Sequence, residues 1–443
     1  MSTPHAPRLL FADSSGRVFE HPNLLMAGRA ANLLRLPEPA ELIPLPAGSD
    51  LFVLPERAPV GFDPEGGRFV VLRRDPHTGE EGVRAVAAFM APAHTATLTC
   101  AYATEPGAAP LPLFAYTAAG WRRGRFVAAG LRVDRDRRQE LAGFDCQAIE
   151  AGVGRVRARY PANRLFEHLA GCALRYGCPA ARNLFLGRFE APLPTSRACN
   201  ARCVGCISRQ EGCIPATQER MRVLPTAAEI AEVAVHHLLS EPHGVVSFGQ
   251  GCEGEPLSRA GVLAQAIGRI RAEVAGGTIN LNTNASLPGA LERLARAGLD
   301  SVRVSLNSAR PSYYTSYYRP RGYSFRDVQR SLAVAAAHGL FVSLNLLVLP
   351  GVTDEEAEAE ALARLMRRHR VDLIQLRNLN LDPELYLAAI RYRPRGRKLG
   401  LAGLMARLKG EFPNLAFGYF NPPLVVRRGV RRRRRGWSRP PRG

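Results

Sequence analysis

The chain reads as an α/β protein: a β-rich N-terminal third, a helical connector, and a body of repeating strand–helix units that lays down a parallel sheet. Three observations predict this. Beyond residue 220, short apolar runs alternate with helical patterns at the spacing of parallel βα units. Helix starts recur between those runs as S/T-x-x-E/D pairs, Thr226 with Glu229, Ser324 with Asp327 and Thr353 with Glu356, in which side chains satisfy orphan backbone N–H groups. The N-terminal part instead carries short runs such as Phe69-Val70-Val71-Leu72 and Leu113-Phe114-Ala115-Tyr116, broken by proline and glycine.

In chain order, residues 1–145 form the β-rich domain and carry no assignable motif. Residues 146–187 form the helical connector, which leads into a cysteine loop at the start of the body, residues 188–420. The strands of the body are Val245-Val246-Ser247-Phe248, Ile279-Asn280-Leu281-Asn282, Val302 to Leu306, Phe341 to Val348 and Leu373-Ile374-Gln375-Leu376. With one strand leading into the cysteine loop they number six. The longest uncharged stretch, Leu332 to Leu349, reaches bilayer length, but His338-Gly339 divides it into a helix end and a strand, so no membrane span is expected.

A length of 443 residues permits a barrel-sized catalytic domain and a smaller one. The net charge of +21 is nearly all arginine, since lysine occurs only at Lys398 and Lys409. Nine arginines and no acids lie between Arg427 and Gly443. That tail buries too little apolar surface to fold alone and reads as disordered over 427–443, with nucleic acid or another anionic surface as its conceivable partner. The run Leu9-Leu10-Phe11-Ala12 stops at Asp13, too short for a secretory segment, and nine cysteines is an odd number for a disulfide framework. A reducing, cytoplasmic location is expected.

The cysteines carry the chemistry. Cys199-Asn200-Ala201-Arg202-Cys203-Val204-Gly205-Cys206 puts three thiols into eight residues with no fourth ligand beside them. An iron–sulfur cube normally takes four cysteinates, so three leave one iron open to an exogenous donor. A zinc site would need a second C-x2-C pair or an H-x3-H pair, and neither is present.

The C-x3-C-x2-C spacing, on a loop after a strand and ahead of βα units, resembles the signature of the radical S-adenosylmethionine (radical SAM) superfamily over roughly Arg188 to Phe420. The resemblance implies a partial (β/α)6 TIM-like barrel as the radical SAM core. It implies a 4Fe-4S cluster held by Cys199, Cys203 and Cys206, with S-adenosyl-L-methionine chelating the unique iron and cleaved reductively to a 5′-deoxyadenosyl radical that abstracts substrate hydrogen. It also implies an electron donor such as flavodoxin or ferredoxin. Gly249-Gln250-Gly251-Cys252-Glu253-Gly254-Glu255-Pro256 looks like the G-G-E-P element that holds the methionyl amino group, a role carried to Glu253, Gly254 and Glu255, although Glu253 stands where the first glycine is usual. Asn282-Thr283-Asn284 occupies the place of the T-N-G element. Ser305 and Asn307 resemble the S-x-N pattern that meets the ribose and the methionyl carboxylate, and Arg303 shares the strand face of Ser305 and matches carboxylate geometry. Leu349-Pro350-Gly351-Val352-Thr353 falls where the family places a glycine near adenine; Gly205 departs from the aromatic residue common before the last motif cysteine, leaving Val204 or Val352 as apolar neighbours for adenine. The cobalamin motif of one branch is absent, the string Asp75 to Gly79 being one residue short of D-x-H-x-x-G.

Substrate-facing candidates are Tyr313, Tyr314, Tyr317, Tyr318 and Arg319, expected in a loop over the barrel mouth, and Gln375, Arg377 and Asn378 at the last strand end. Cys172, Cys178, Cys213 and Cys252 match no ligand template and read as buried free thiols in preference to a second metal site; Cys100 and Cys146 carry no motif. No cysteine follows Cys252, which argues against a C-terminal auxiliary-cluster domain. The competing functions are RNA modification by the same radical chemistry, and a non-catalytic zinc- or nucleic-acid-binding protein.

Overall fold

Seven parallel strands stand side by side in their chain order: β1 (Glu190–Leu193), β2 (Val245–Phe248), β3 (Thr278–Thr283), β4 (Ser301–Leu306), β5 (Phe341–Val348), β6 (Leu373–Asn378) and β7 (Ala416–Gly418). The computed structural model describes residues 6–210, 214–427 and 430–433. Sequential order is what successive βα crossovers in one direction produce. β1 and β7 are the two edges of the sheet, so the barrel is partial. The span between them is bridged by a side chain: Asn421, just past β7, donates to Glu190 Oε1 on β1 at 2.7 Å and to Ser247 Oγ on β2 at 3.3 Å. β7 is the strand beyond the expected six; three residues are too few to show an alternating pattern.

The strands alternate: Ile279, Leu281, Val302, Leu344 and Ile374 are fully buried on the face packed against the helices, while Asn280, Arg303, Asn345 and Gln375 line the opposite, interior face. Thr226 and Ser324 do start helices, α4 (Ala227–Ser240) and α8 (Phe325–Ala337), each with a reciprocal capping box. Thr353 does not. Helix α9 (Glu356–Arg368) begins after Glu355, and the Thr353 hydroxyl instead accepts from the Leu349 amide and donates to the Leu347 carbonyl, closing the turn that leaves β5. The long uncharged stretch divides as expected, with α8 ending at Ala337, Gly339 at φ +65° and β5 beginning at Phe341. No described helix is long and apolar enough to cross a membrane.

Three helices, α1 (Cys146–Arg159), α2 (Arg164–Leu174) and α3 (Pro179–Phe185), precede β1 and share its apolar core. Between β2 and β4 lie α5 (Ala260–Glu273) and α6 (Pro288–Ala297). Next come α7 (Pro311–Tyr318) ahead of α8, then α10 (Pro383–Ala389) and α11 (Gly400–Glu411) after β6.

The N-terminal region is a fourteen-stranded antiparallel sheet whose apolar side chains gather in several small clusters. Arg68–Val71 is one of its strands, whereas Leu113 to Tyr116 is not: the Pro112 carbonyl accepts from both Phe114 N–H and Tyr116 Oη, bending the run ahead of the strand Thr117–Arg122. The sheet seats on the barrel through specific bonds. Ala31 N–H donates to Pro350 O at 2.7 Å, Thr95 Oγ1 to Leu376 O at 3.1 Å, and Arg57 pairs with Asp382 at 3.3 Å with both side chains buried.

The basic tail departs from the expected disorder where it is described, because Leu424–Arg427 pairs antiparallel with Val430–Arg433. Residues 428, 429 and 434–443, the rest of that segment, lie outside the described residues, as does Cys213.

Candidate active site

β1 ends at Leu193, and the chain then winds without regular structure through Cys199, Cys203 and Cys206. Helix α7 holds this loop in place. A helix end leaves carbonyls without intrahelical partners, and here the Tyr318 and Tyr317 carbonyls accept from the amides of Arg202 and Val204, both at 3.0 Å. Arg321 N–H donates to Asn200 O at 2.8 Å. The four tyrosines expected in a loop are therefore helical and buried, with Tyr314 and Tyr318 rings 4.5 Å apart and Tyr317 and Tyr318 5.0 Å apart. Pro311 at the first helical turn and four apolar rings on an eight-residue segment favour a packed helix over an open cover. A Cβ on Gly205 would stand 2.9 Å from Tyr317 Oη, so α7 supplies an aromatic ring beside the glycine that departs from the family pattern.

The three thiols are free and half-buried. Burial holds Cys203 well above the ordinary thiol range, and charge on Cys206 and Cys199 would push it further; Cys199 is raised by burial as well. Three thiolates at this spacing need a compensating cation, which is the chemistry of a metal cluster site. Arg220 offers part of that charge, donating to Cys206 Sγ at 3.5 Å, to Ser208 Oγ and to the Arg197 carbonyl. A cavity of about 230 Å³ opens beside Cys203 and Cys206, with Arg220 and Arg319 in its wall. Sequence reasoning missed Arg220, which sits in an irregular segment with no motif around it.

The glycine turn after β2 is built tightly against β3 and the cysteine loop. Gly249 has φ +78°, and a Cβ there would fall 1.8 Å from the Asn282 carbonyl oxygen. Gly254 leaves room for the Ala198 carbonyl, 2.0 Å from where a Cβ would be, and donates its own N–H to Ser196 O at 2.7 Å. The Glu253 carboxylate accepts from the amides of Thr195, Ser196, Gly249 and Gln250 at 2.7–2.8 Å. Glu255 accepts from Leu257 N–H, Asn284 N–H and the Thr283 hydroxyl. Burial raises Glu253 to about 6 and Glu255 to about 7 against the pull of these donors. Both side chains thus tie the turn to β1 and β3. Glu253 fills the place of a usual glycine because its carboxylate anchors the strand end.

Gly249→Ala is expected to destabilise the protein by about 4 kcal/mol or more, since a backbone oxygen cannot yield as a side chain can and the φ is strained for alanine. Thermal denaturation monitored by circular dichroism checks this, and a midpoint within two or so degrees of the parent would contradict it.

Asn282 and Asn284 flank the same junction. Asn282 Nδ2 donates to Gly249 O at 3.0 Å, and Asn284 Nδ2 donates to Asn200 Oδ1 in the cysteine loop at 2.8 Å. On β4, Arg303 is half-buried and donates to Gln375 Oε1 at 3.2 Å, while its buried Nε meets no acceptor among the described residues. Burial, and then the nearby Arg377, lower Arg303 to about 9. No ion pair of Arg303 occurs among the described residues, so this guanidinium suits an incoming carboxylate. Ser305 lies half-buried on the same strand face. Asn307 Nδ2 donates to Tyr313 O and Tyr386 Oη, and its buried Oδ1 likewise has no partner among the described residues.

At the end of β6 the three candidates divide. Gln375 joins the interior network through Asn421, Arg377 stacks 3.6 Å from the Tyr419 ring centroid, and Asn378 turns away to Ala96 N–H and His94 O of the N-terminal sheet. Asn378 is thereby a docking residue. Gly351 plays the same part, because a Cβ there would meet the Ala30 backbone at 2.2 Å. Cys172 and Cys252, read from spacing as unconnected thiols, meet each other near His168. An i, i+4 His–Cys pair on one face of a predicted helix was the visible clue.

The family model describing the Radical SAM superfamily matches residues 193–363, from the end of β1 into α9. The GTP 3′,8-cyclase of Petrotoga mobilis is 30% identical over 46% of this chain and 56% of its own length, and that of Streptomyces coelicolor 32% identical over 36% and 44%. The FeMo cofactor biosynthesis protein NifB of Klebsiella pneumoniae is 26% identical over 37% of each chain. The chain spans about half the length of the curated relatives it matches. Among solved structures, a methylornithine synthase (PylB) aligns over 64% of this chain and 77% of its own at 15% identity and a TM-score of 0.36. A radical SAM methyltransferase from Sphaerobacter thermophilus aligns over 52% and 66% at 19% identity and a TM-score of 0.35.

Proposed function

We propose, from the premise that this chain belongs to the radical SAM superfamily, that Cys199, Cys203 and Cys206 hold its 4Fe-4S cluster and that S-adenosyl-L-methionine binds across the strand ends beside it. When bound, the cluster supplies an electron that cleaves the sulfonium to a 5′-deoxyadenosyl radical for hydrogen abstraction. The observation that carries the reading is the loop of three free thiols set on α7, against a glycine turn held by the Asn282 side chain and with the Asn284 side chain reaching the loop itself.

The protein's own part is placement and exclusion of water. Carbonyls of the turn Gly249 to Gly254 are suited to accept from an ammonium group. Arg303, half-buried with its Nε lacking an acceptor among the described residues, is assigned to the methionyl carboxylate, and Ser305 and Asn307 to polar groups beyond it. Arg377, whose Nε also lacks an acceptor among the described residues, lies two residues past Gln375 and adds a second cation in the barrel interior. That favours an anionic substrate, a property shared by GTP, which names the activity of several relatives.

Anaerobically reconstituted protein given dithionite is expected to convert S-adenosylmethionine to 5′-deoxyadenosine, with Cys203→Ala lowering the rate at least about a thousandfold, as loss of a cluster ligand does. Retained activity in that variant refutes the ligand assignment. Arg220→Gln is expected to move the cluster midpoint potential to a more negative value, because it removes a cation and a hydrogen bond from the Cys206 sulfur. A redox titration followed by electron paramagnetic resonance reads the shift.

A further inference from the structure

Beside the cysteine loop lies a larger cavity of about 850 Å³, walled by α2, α3, the glycine turn and the segment around Arg220. His168 and Cys172 are one turn apart on α2 and so share a face. Cys252 arrives from the turn after β2. Cys172 Sγ lies 3.6 Å from His168 Nε2, and the three donor atoms all fall within 4.8 Å of one another. Both cysteines are held by their backbones: the Cys172 carbonyl accepts from Cys178 N–H at 3.0 Å, and the Cys252 carbonyl accepts from Met221 N–H at 2.7 Å. All three side chains border the cavity.

We propose that His168, Cys172 and Cys252 bind one mononuclear divalent cation of the zinc class, with the fourth position filled by a donor from the cavity. Metal–ligand distances of about 2.1–2.3 Å place tetrahedral ligand atoms roughly 3.5–3.8 Å apart, which the Cys172–His168 separation already matches. A second cube would hold its sulfurs farther apart, since each ligates a different iron. Two thiolates and an imidazole select zinc over calcium or magnesium, whose ligands are oxygens. The cation would tie α2 to the turn that carries Glu253 and Glu255, bracing the strand end against which the cysteine loop is set. Chain segments far apart in sequence thus gain a shared anchor. The site uses none of the three motif cysteines, so it stands or falls separately from the function proposed above.

The test counts metals in the full-length protein, purified without added metal and reconstituted anaerobically. Zinc at about one per chain, in addition to cluster iron, is expected. Cys172→Ser, Cys252→Ser and His168→Ala should each lower bound zinc by on the order of tenfold or more, leaving cluster iron in place. Cys146→Ser, at an exposed thiol, should change neither metal. Because a ligand variant can also fold poorly, the unaltered protein is loaded with Co²⁺ in place of zinc. Thiolate-to-cobalt charge transfer with tetrahedral d–d absorption is expected, and octahedral absorption without charge transfer overturns the proposal. So does zinc that is unchanged in the three variants, a Cys172–Cys252 disulfide found by peptide mass mapping, or a second cluster's worth of iron at these residues.

Discussion

Glu253→Ala is expected to cost about 4 kcal/mol or more and to lower cluster occupancy together with stability. Its carboxylate receives four backbone amides from two separate segments, Thr195 and Ser196 at the end of β1 and Gly249 and Gln250 in the glycine turn. Glu253 is 5% exposed, so water cannot replace the lost acceptors. Each buried donor left unmade costs about 1–3 kcal/mol. Alanine also leaves a void where the side chain stood. The two segments are the ones that carry the cysteine loop and the turn facing it, so their separation should reduce iron bound per chain after reconstitution as well as the denaturation midpoint. Parent-like iron content and midpoint together would show that the four amides find other partners and that the clamp is unimportant.

Asp382→Ala is expected to loosen the N-terminal sheet from the barrel. Asp382 caps α10 by accepting from Glu384 N–H at 2.8 Å, while its other oxygen accepts from Leu111 N–H at 2.9 Å and from Arg57 at 3.3 Å. Arg57 is 2% exposed, and its Nε already lacks an acceptor among the described residues. Removing one partner of such a pair leaves an uncompensated buried charge, typically about 3–5 kcal/mol. Limited proteolysis should then cleave between the sheet and the barrel faster than in the parent. The double variant Arg57→Met with Asp382→Leu should recover most of the loss, because it removes the desolvation penalty along with the attraction. A double variant weaker than Asp382→Ala alone would contradict that account.

The parallel strands were legible because each carries apolar residues at its helix-facing positions between turn residues, a local pattern visible along the chain. Val245–Phe248 and Phe341–Val348 coincide with their predicted bounds. β7 escaped notice because a three-residue strand has no periodicity and is held by its neighbour. Thr353 misled because a hydroxyl before an acidic pair satisfies the cap pattern equally well when its oxygen closes a turn. The tyrosines misled for a related reason: an aromatic cluster has the same composition whether it covers a pocket or supports a loop, and only the partners of Tyr317 and Tyr318 distinguish the two.

By itself the amino-acid order determined what nearest neighbours along the chain can determine: the βα alternation, the three-thiol spacing, the glycine turn, and with them the family resemblance. Tertiary structure alone decided where side chains from distant segments converge. It turned Glu253 into a clamp, set Arg220 on the Cys206 sulfur, left Arg303 Nε without an acceptor among the described residues, and brought Cys252 to His168 and Cys172. The reason is physical: a spacing rule reports geometry only within one helix, strand or loop, whereas a ligand set or a buried ion pair depends on distances between elements, which packing alone establishes.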